Sequence, residues 1–149
     1  MPDSVVHPRT VAEHAQDGRI RAVVDAVLPA VDGGRFAAKC VAGEPFEVTA
    51  HCFTDGHDVV AARLCWRPVG GAWQEVPMQA LPNDVWTATF VPPALGRYEY
   101  TVEAWVDPSD TWRHDMTRRV EAADLRIAAR VGAQEIEAAS QRADGGDRE

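Results

Sequence analysis

The chain has 149 residues, 46% of them hydrophobic, and a formal net charge of −8. That length suits one domain, or one domain with tails, able to bury roughly two-thirds of the surface its unfolded chain exposes. The acidic balance argues against nucleic acid or an anionic lipid surface as a partner, and no apolar run reaches the length of a membrane span.

Residues 1–18 are polar and contain Pro2, Pro8 and Gly18; they read as a loose N-terminal arm without the basic start and apolar core of a secretory signal. From residue 20 the pattern changes to short strands between turn residues. Residues 20–28 are apolar and β-branched and are stopped by Pro29. Asp32-Gly33-Gly34 makes a turn, residues 35–41 read as a short irregular strand, and Gly43-Glu-Pro45 turns the chain again.

Residues 46–53 alternate cleanly, with Phe46, Val48, Ala50 and Cys52 on one face and Glu47, Thr49 and His51 on the other. Asp55-Gly56 ends that run. In residues 59–67, Val60, Ala62, Leu64 and Trp66 share a face, and Arg63, Cys65 and Arg67 share the opposite one. Gly70-Gly71 leads into a hairpin strand over residues 72–78, and Asn83-Asp84 turns into residues 85–91, where Trp86, Ala88 and Phe90 point inward. Pro92-Pro93 forbids continuation, because neither residue has an N–H for a ladder. The last antiparallel pair is read over residues 96–106 and 111–120, joined by Asp107-Pro-Ser-Asp110.

Seven or eight short strands with regular turns predict an all-β fold, an antiparallel β-sandwich of the immunoglobulin or fibronectin-III type, over residues 19–121. In such a sandwich Tyr98 would close a tyrosine corner onto the backbone near residues 93–95, Tyr100 would fill the neighbouring core position, and Trp66 would be the central tryptophan. These tyrosines therefore read as structural, with Trp66 and Trp86 as core. Residues 121–142 read as a C-terminal linker helix, with Asp124 near its start and Leu125, Ala128, Ala129, Ile136 and Ala139 as a thin apolar stripe. Gly132 weakens that helix by roughly 1 kcal/mol. Residues 143–149 read as a frayed tail.

Candidate chemistry is sparse. Cys40, Cys52 and Cys65 have neither CxxC nor zinc spacing and read as reduced thiols; alternation puts Cys52 and Cys65 on opposite faces, against a disulfide. His51, Asp55, His57 and Asp58 crowd one turn, but their spacing fits no metal pattern, and no metal or cofactor is expected. Trp105 falls on the polar face of its strand, and Trp73 and Trp112 lie near strand ends. Three readings of these rings stand: core packing, a protein interface, or stacking on a sugar.

A family resemblance rests on longer blocks. They are Asp32-Gly-Gly-Arg-Phe36, Gly43-Glu44, Thr54-Asp-Gly-His-Asp-Val-Val-Ala61, Trp73-Gln-Glu-Val-Pro-Met78, Asn83-Asp-Val-Trp86, Gly96-Arg-Tyr-Glu-Tyr-Thr-Val-Glu-Ala-Trp-Val-Asp107 and Trp112-Arg113. Over roughly residues 19–130 the chain resembles the N-terminal domain of the bacterial α-1,4-glucan:maltose-1-phosphate maltosyltransferases of the α-amylase clan. The resemblance implies an enzyme in which this sandwich precedes a catalytic (β/α)₈ barrel and helps to form a homodimer, while the reduced cysteines read as those of a cytoplasmic protein. The barrel carries that family's catalytic carboxylates, so no catalytic residue transfers to this chain. The resemblance thus implies a non-catalytic accessory domain whose partners are the barrel and a second subunit, with Trp105, Trp112 and Trp73 as candidate interface residues. An α-glucan-binding module and a free-standing interaction domain are the alternatives.

Overall fold

The structure is a computed structural model and describes residues 21–119 and 121–142. The expected N-terminal arm and frayed tail lie outside the described residues. Seven strands and two helices follow one another: β1 (Ala22–Leu28), β2 (Phe46–Thr54), β3 (Val60–Pro68), β4 (Gln74–Pro77), β5 (Gln79–Ala80), β6 (Val85–Phe90), β7 (Tyr98–Val106), α1 (Pro108–Arg118) and α2 (Ala122–Arg142). They form two compact units. Among the described residues the first comprises 21–55 with Val60–Trp105; the second comprises Gly56–Val59 with the described residues of 106–142.

The first unit is a β-sandwich of two antiparallel sheets. One has the order β1-β2-β6-β5, the other β4-β3-β7. Period two decides what each strand buries. The β2–β6 register sets Phe46 opposite Phe90, Val48 opposite Ala88 and Ala50 opposite Trp86, so the apolar faces of two neighbouring strands coincide. β3 meets them from the other sheet with Ala62, Leu64 and Trp66, and β7 adds Val102; Leu64 and Val48 are wholly excluded from solvent. Trp66 stacks on Phe90 with ring centroids 4.6 Å apart, and Phe46 stands edge-on to Tyr100 at 5.5 Å. The Trp86 indole N–H donates to the Cys52 carbonyl at 3.1 Å, which satisfies its one polar atom.

Turn chemistry explains the connections. Gly70 (φ +79°) and the bond from Gly71 N–H to the Pro68 carbonyl close the β3–β4 hairpin. Asn83 and Asp84 both take left-handed φ values (63° and 59°), a region these two residue types enter more readily than most. They turn β5 into β6, which pairs Gln79 with Thr87 and Ala80 with Trp86; β5 itself was not anticipated.

Two elements correct the expectations. Residues 35–41 are not a strand: only an isolated bridge between Val31 and Phe36 forms, around a 3-10 turn at Asp32–Gly34. With no neighbouring ladder, Phe36 and Val41 stay exposed. Residues 111–120 do not form the last strand either, since Pro108–Arg118 is helical. The cause is visible at its start. Asp107 is an N-cap whose side chain accepts from the Asp110 N–H at 2.9 Å, and Pro108 occupies the first helical turn, where its missing N–H costs nothing.

The second unit is a helix hairpin. Thr111 donates its hydroxyl to the Asp107 carbonyl and accepts the Val59 N–H, which ties residues 56–59 to the first turn of α1. The expected C-terminal helix is α2. Of the anticipated stripe, Ala128 is buried and Leu125 half-buried, whereas Ala129, Ile136 and Ala139 are exposed and Gly132 is buried instead. Trp112 explains why: its indole N–H donates to the Ala128 carbonyl at 2.6 Å, and its ring lies where a Cβ on Gly132 would be.

Candidate functional site

Tyr98 lies at the first position of β7, and its ring is tilted against Trp66 at 6.0 Å. Its hydroxyl donates to the Ala94 carbonyl at 3.0 Å and accepts the Ala94 N–H at 3.3 Å, which fastens the loop between β6 and β7 to the strand it feeds. Tyr98→Phe keeps the ring and removes only these bonds. The expected loss is about 0.5–1.5 kcal/mol, measured as the shift in urea midpoint; equal midpoints would show that the hydroxyl contributes nothing. Tyr100 reaches further in sequence and donates to the Pro29 carbonyl, and burial raises its pKa.

The chemically richest surface is the outward face of β4-β3-β7. Alternation sends Arg63 and Arg67 outward from β3 and Glu99, Glu103 and Trp105 outward from β7. Arg63 donates Nε and Nη2 to Glu103 at 2.9 and 2.7 Å and Nη1 to Glu75 at 2.7 Å, so one guanidinium spans all three strands. The Glu103 hydrogen bond is the main reason the Arg63 pKa is raised. Arg67 donates to Glu99 at 2.7 Å.

Each arginine also covers a tryptophan. The Arg63 guanidinium is 5.6 Å from the centroid of the Trp105 ring, and that of Arg67 is 4.2 Å from Trp73, both within cation–π range. Trp105 is 41% exposed and Trp73 43%. Two rings and two arginines are thereby held in place on an open sheet face, with each arginine paired to glutamate.

Cys65 is the exception on this face. It lies opposite Glu75 in the β3–β4 register and is nonetheless buried, and burial raises its thiol pKa. Cys52 sits in the core, with its thiol pushed up to about 11 by desolvation. Both, with the exposed Cys40, are free thiols. The two buried thiols, Cys52 and Cys65, are therefore unionised at neutral pH and poor nucleophiles.

The other sequence candidates separate. Trp66 is buried in the sandwich core and Trp86 is half-buried against it, whereas Trp112 belongs to the helix hairpin and not to a strand end. Among the described residues no group of three or more His, Cys, Asp or Glu is arranged to hold a metal ion, and no helix is long and apolar enough to cross a membrane. Sequence reasoning missed the Arg63–Glu103 and Arg67–Glu99 pairs, although their signal was present. The outward phases of residues 59–67 and 96–106 carry the two arginines and two glutamates at matching spacing. Gly132 as the seat of Trp112 had no comparable signal.

Comparison with known proteins places this geometry. Residues 20–149 match the family described as Alpha-1,4-glucan:maltose-1-phosphate maltosyltransferase, domain N/S. The chain is 44% identical over 129 residues to the Alpha-1,4-glucan:maltose-1-phosphate maltosyltransferase of Chlorobaculum tepidum, an alignment covering 85% of this chain and 19% of that protein. It is 43% identical over 126 residues to the enzyme of the same name from Myxococcus xanthus, covering 80% and 19%. Against Alpha-1,4-glucan:maltose-1-phosphate maltosyltransferase 2 of Streptomyces coelicolor the figures are 47% over 110 residues, 72% and 15%. The chain thus spans about a fifth of the length of the first two relatives. With its β-sandwich followed by a helix hairpin, the chain belongs to the domain N/S family of the α-1,4-glucan:maltose-1-phosphate maltosyltransferases.

Proposed function

We propose that this chain serves as a non-catalytic domain of a maltosyltransferase that moves maltosyl units from maltose 1-phosphate to α-glucan. In this reading it docks on the rest of the enzyme and contributes to its homodimer contact. The observation that carries the reading is the family match over residues 20–149, against relatives of which the chain spans about a fifth. The outward face of β4-β3-β7 supplies a fitting contact surface. Trp105 and Trp73 are amphipathic rings already ordered by arginines, so little side-chain freedom remains to be lost on docking. Aromatic and arginine side chains are also the types that interfaces concentrate.

The geometry favours protein over sugar. Trp73 lies next to Gln74, which pairs with Trp66, while Trp105 lies at the far end of β7. Along β3 this separates the two rings by on the order of 20 Å, several times one sugar residue. The third ring, Trp112, is taken up against α2.

Trp105→Ala tests the surface. The 149-residue chain should keep its stability within about 1 kcal/mol, as for an ordinary surface change. A full-length enzyme carrying the substitution should show weaker dimerisation or domain docking in analytical ultracentrifugation. Collapse of the variant chain would make Trp105 a core residue. Loss of maltooligosaccharide binding in the variant, with binding in the wild type, would favour a glucan-binding module. Transfer from maltose 1-phosphate by the purified 149-residue chain would overturn the non-catalytic assignment.

A further inference from the structure

Residues 29–45, between β1 and β2, form the longest connection among the described strands, and none of their side chains is buried. Loops of such length without a strand or α-helix of their own are uncommon and tend to be functional when they are ordered. This one is fixed without help from the core. At its start the Pro29 carbonyl accepts the Tyr100 hydroxyl, and near its end the Gly43 N–H donates to the Pro92 carbonyl at 2.8 Å. Between these ties the chain makes a tight turn. Asp32, Gly33 and Gly34 all take left-handed φ values (51°, 64° and 89°), which two glycines make accessible. The Gly34 and Phe36 N–H groups both donate to the Val31 carbonyl, at 3.1 and 3.3 Å. Val31 and Phe36 are thereby bridged side by side, yet they are 45% and 61% exposed. Arg35 lies 6.0 Å from the centroid of the Phe36 ring, and its charge is met within the turn by Asp32 at 3.2 Å.

We propose that this loop is an anchor: Phe36, with Val31 beside it, seats in an apolar, uncharged pocket of the same polypeptide, in the part of the full-length enzyme outside these 149 residues. This rests on the reading of the chain as one domain of a longer maltosyltransferase, and it uses residues other than those of the β4-β3-β7 face. The chemistry of the tip selects the pocket. The Arg35–Asp32 pair leaves no unmet charge in the turn, so recognition comes from burying the ring and the valine. The backbone bonds of the turn have already ordered both, so little freedom remains to be lost. Area selects the occupant. A phenylalanine side chain buries about 150–250 Å², and Val31 adds less, so the tip falls well short of the roughly 800 Å² per partner of a stable complex between separate molecules. A contact this small is filled when its pocket is tethered nearby, because linkage supplies a high effective concentration. The same polypeptide meets that condition; a second copy or an unrelated protein does not.

The test compares side-chain oxidation by hydroxyl radicals, read by mass spectrometry, in two proteins. One is the 149-residue chain. The other is a chimera in which its residues 20–149 replace the matching segment of the Chlorobaculum tepidum relative. Phe36 should be oxidised at least about fivefold more slowly in the chimera, as a ring that passes from 61% exposed to the desolvated centre of a contact. Phe36→Ser should return Val31 in the chimera to its rate in the short chain, whereas Phe36→Leu, which stays apolar, should keep Val31 protected. Neither substitution should move the urea midpoint of the 149-residue chain, because the ring supports nothing in it. An active chimera in which Phe36 is oxidised as fast as in the short chain overturns the anchor and leaves the domain reading standing. An inactive chimera in which no residue of this chain changes its rate overturns both. Protection that is lost on dilution of the chimera overturns the assigned occupant in favour of a second copy.

Discussion

Replacing Trp66 with alanine is expected to cost the sandwich about 3–5 kcal/mol. The indole is 7% exposed, sits on the middle strand of its sheet and stacks on Phe90 at an interplanar angle of 18°. Tyr98 leans on it from β7. Truncation removes the largest apolar surface of the core and leaves a void between two sheets held apart by their own ladders, so the site has little means of collapsing. Total stabilities of domains are about 5–15 kcal/mol, so the variant should be close to unfolding at ordinary temperatures. Urea unfolding followed by tryptophan fluorescence gives the midpoint. An unchanged slope with a lower midpoint would identify a pure stability loss. A loss below about 1 kcal/mol, the level of a surface change, would place the ring outside the core.

Gly132→Ala should destabilise the helix hairpin by about 1–3 kcal/mol, against the usual preference of a helix for alanine. A Cβ at this position would overlap the Trp112 ring carbons, and that ring is held by its bond to the Ala128 carbonyl. In an unobstructed helix the same substitution gains about 1 kcal/mol. The sign should therefore reverse in a Trp112→Ala background, where the obstruction is gone. Helix ellipticity at 222 nm during urea unfolding of the four proteins of this cycle measures the coupling. Gly132→Ala stabilising both backgrounds would show that the indole yields freely and that the glycine is not its seat.

What could be read from residue order alone follows a physical division. Alternation over a half-buried sheet is strong, local and self-checking, so β2, β3, β6 and β7 and their buried faces were legible. Tyr98 was legible because its partner, Ala94, lies four residues away. Residues 35–41 and 111–120 were misread because extended or alternating character does not say whether a neighbour exists to accept the ladder. At 107–108 the Asp-Pro pair was read as a turn, although the same pair is a capping signal. The cross-strand network of Arg63 depended on register between strands distant in sequence, which no local pattern carries. The apolar stripe of α2 held at Leu125 and Ala128 but not beyond, for a different reason: the buried face is chosen by the Trp112 ring, and the next position it selects is a glycine that no hydropathy pattern marks.

The strand order also sets the sequence of events by which the chain becomes a protein. β2 lies between β1 and β6, yet Phe46 meets Phe90 only after β3, β4 and β5 have been laid down between them in the chain. Only β3–β4 and β5–β6 are joined by short turns that can close early. Non-local pairings of this kind are slow, on the order of milliseconds to seconds, because loop closure must precede the contacts that reward it. Within the helix hairpin Trp112 finds the Ala128 carbonyl only 16 residues away, so that contact has no such delay. On a ribosome the β2 edge therefore waits exposed until β6 emerges, and a nascent chain stalled before Val85 offers an open apolar strand to chaperones rather than half of a domain.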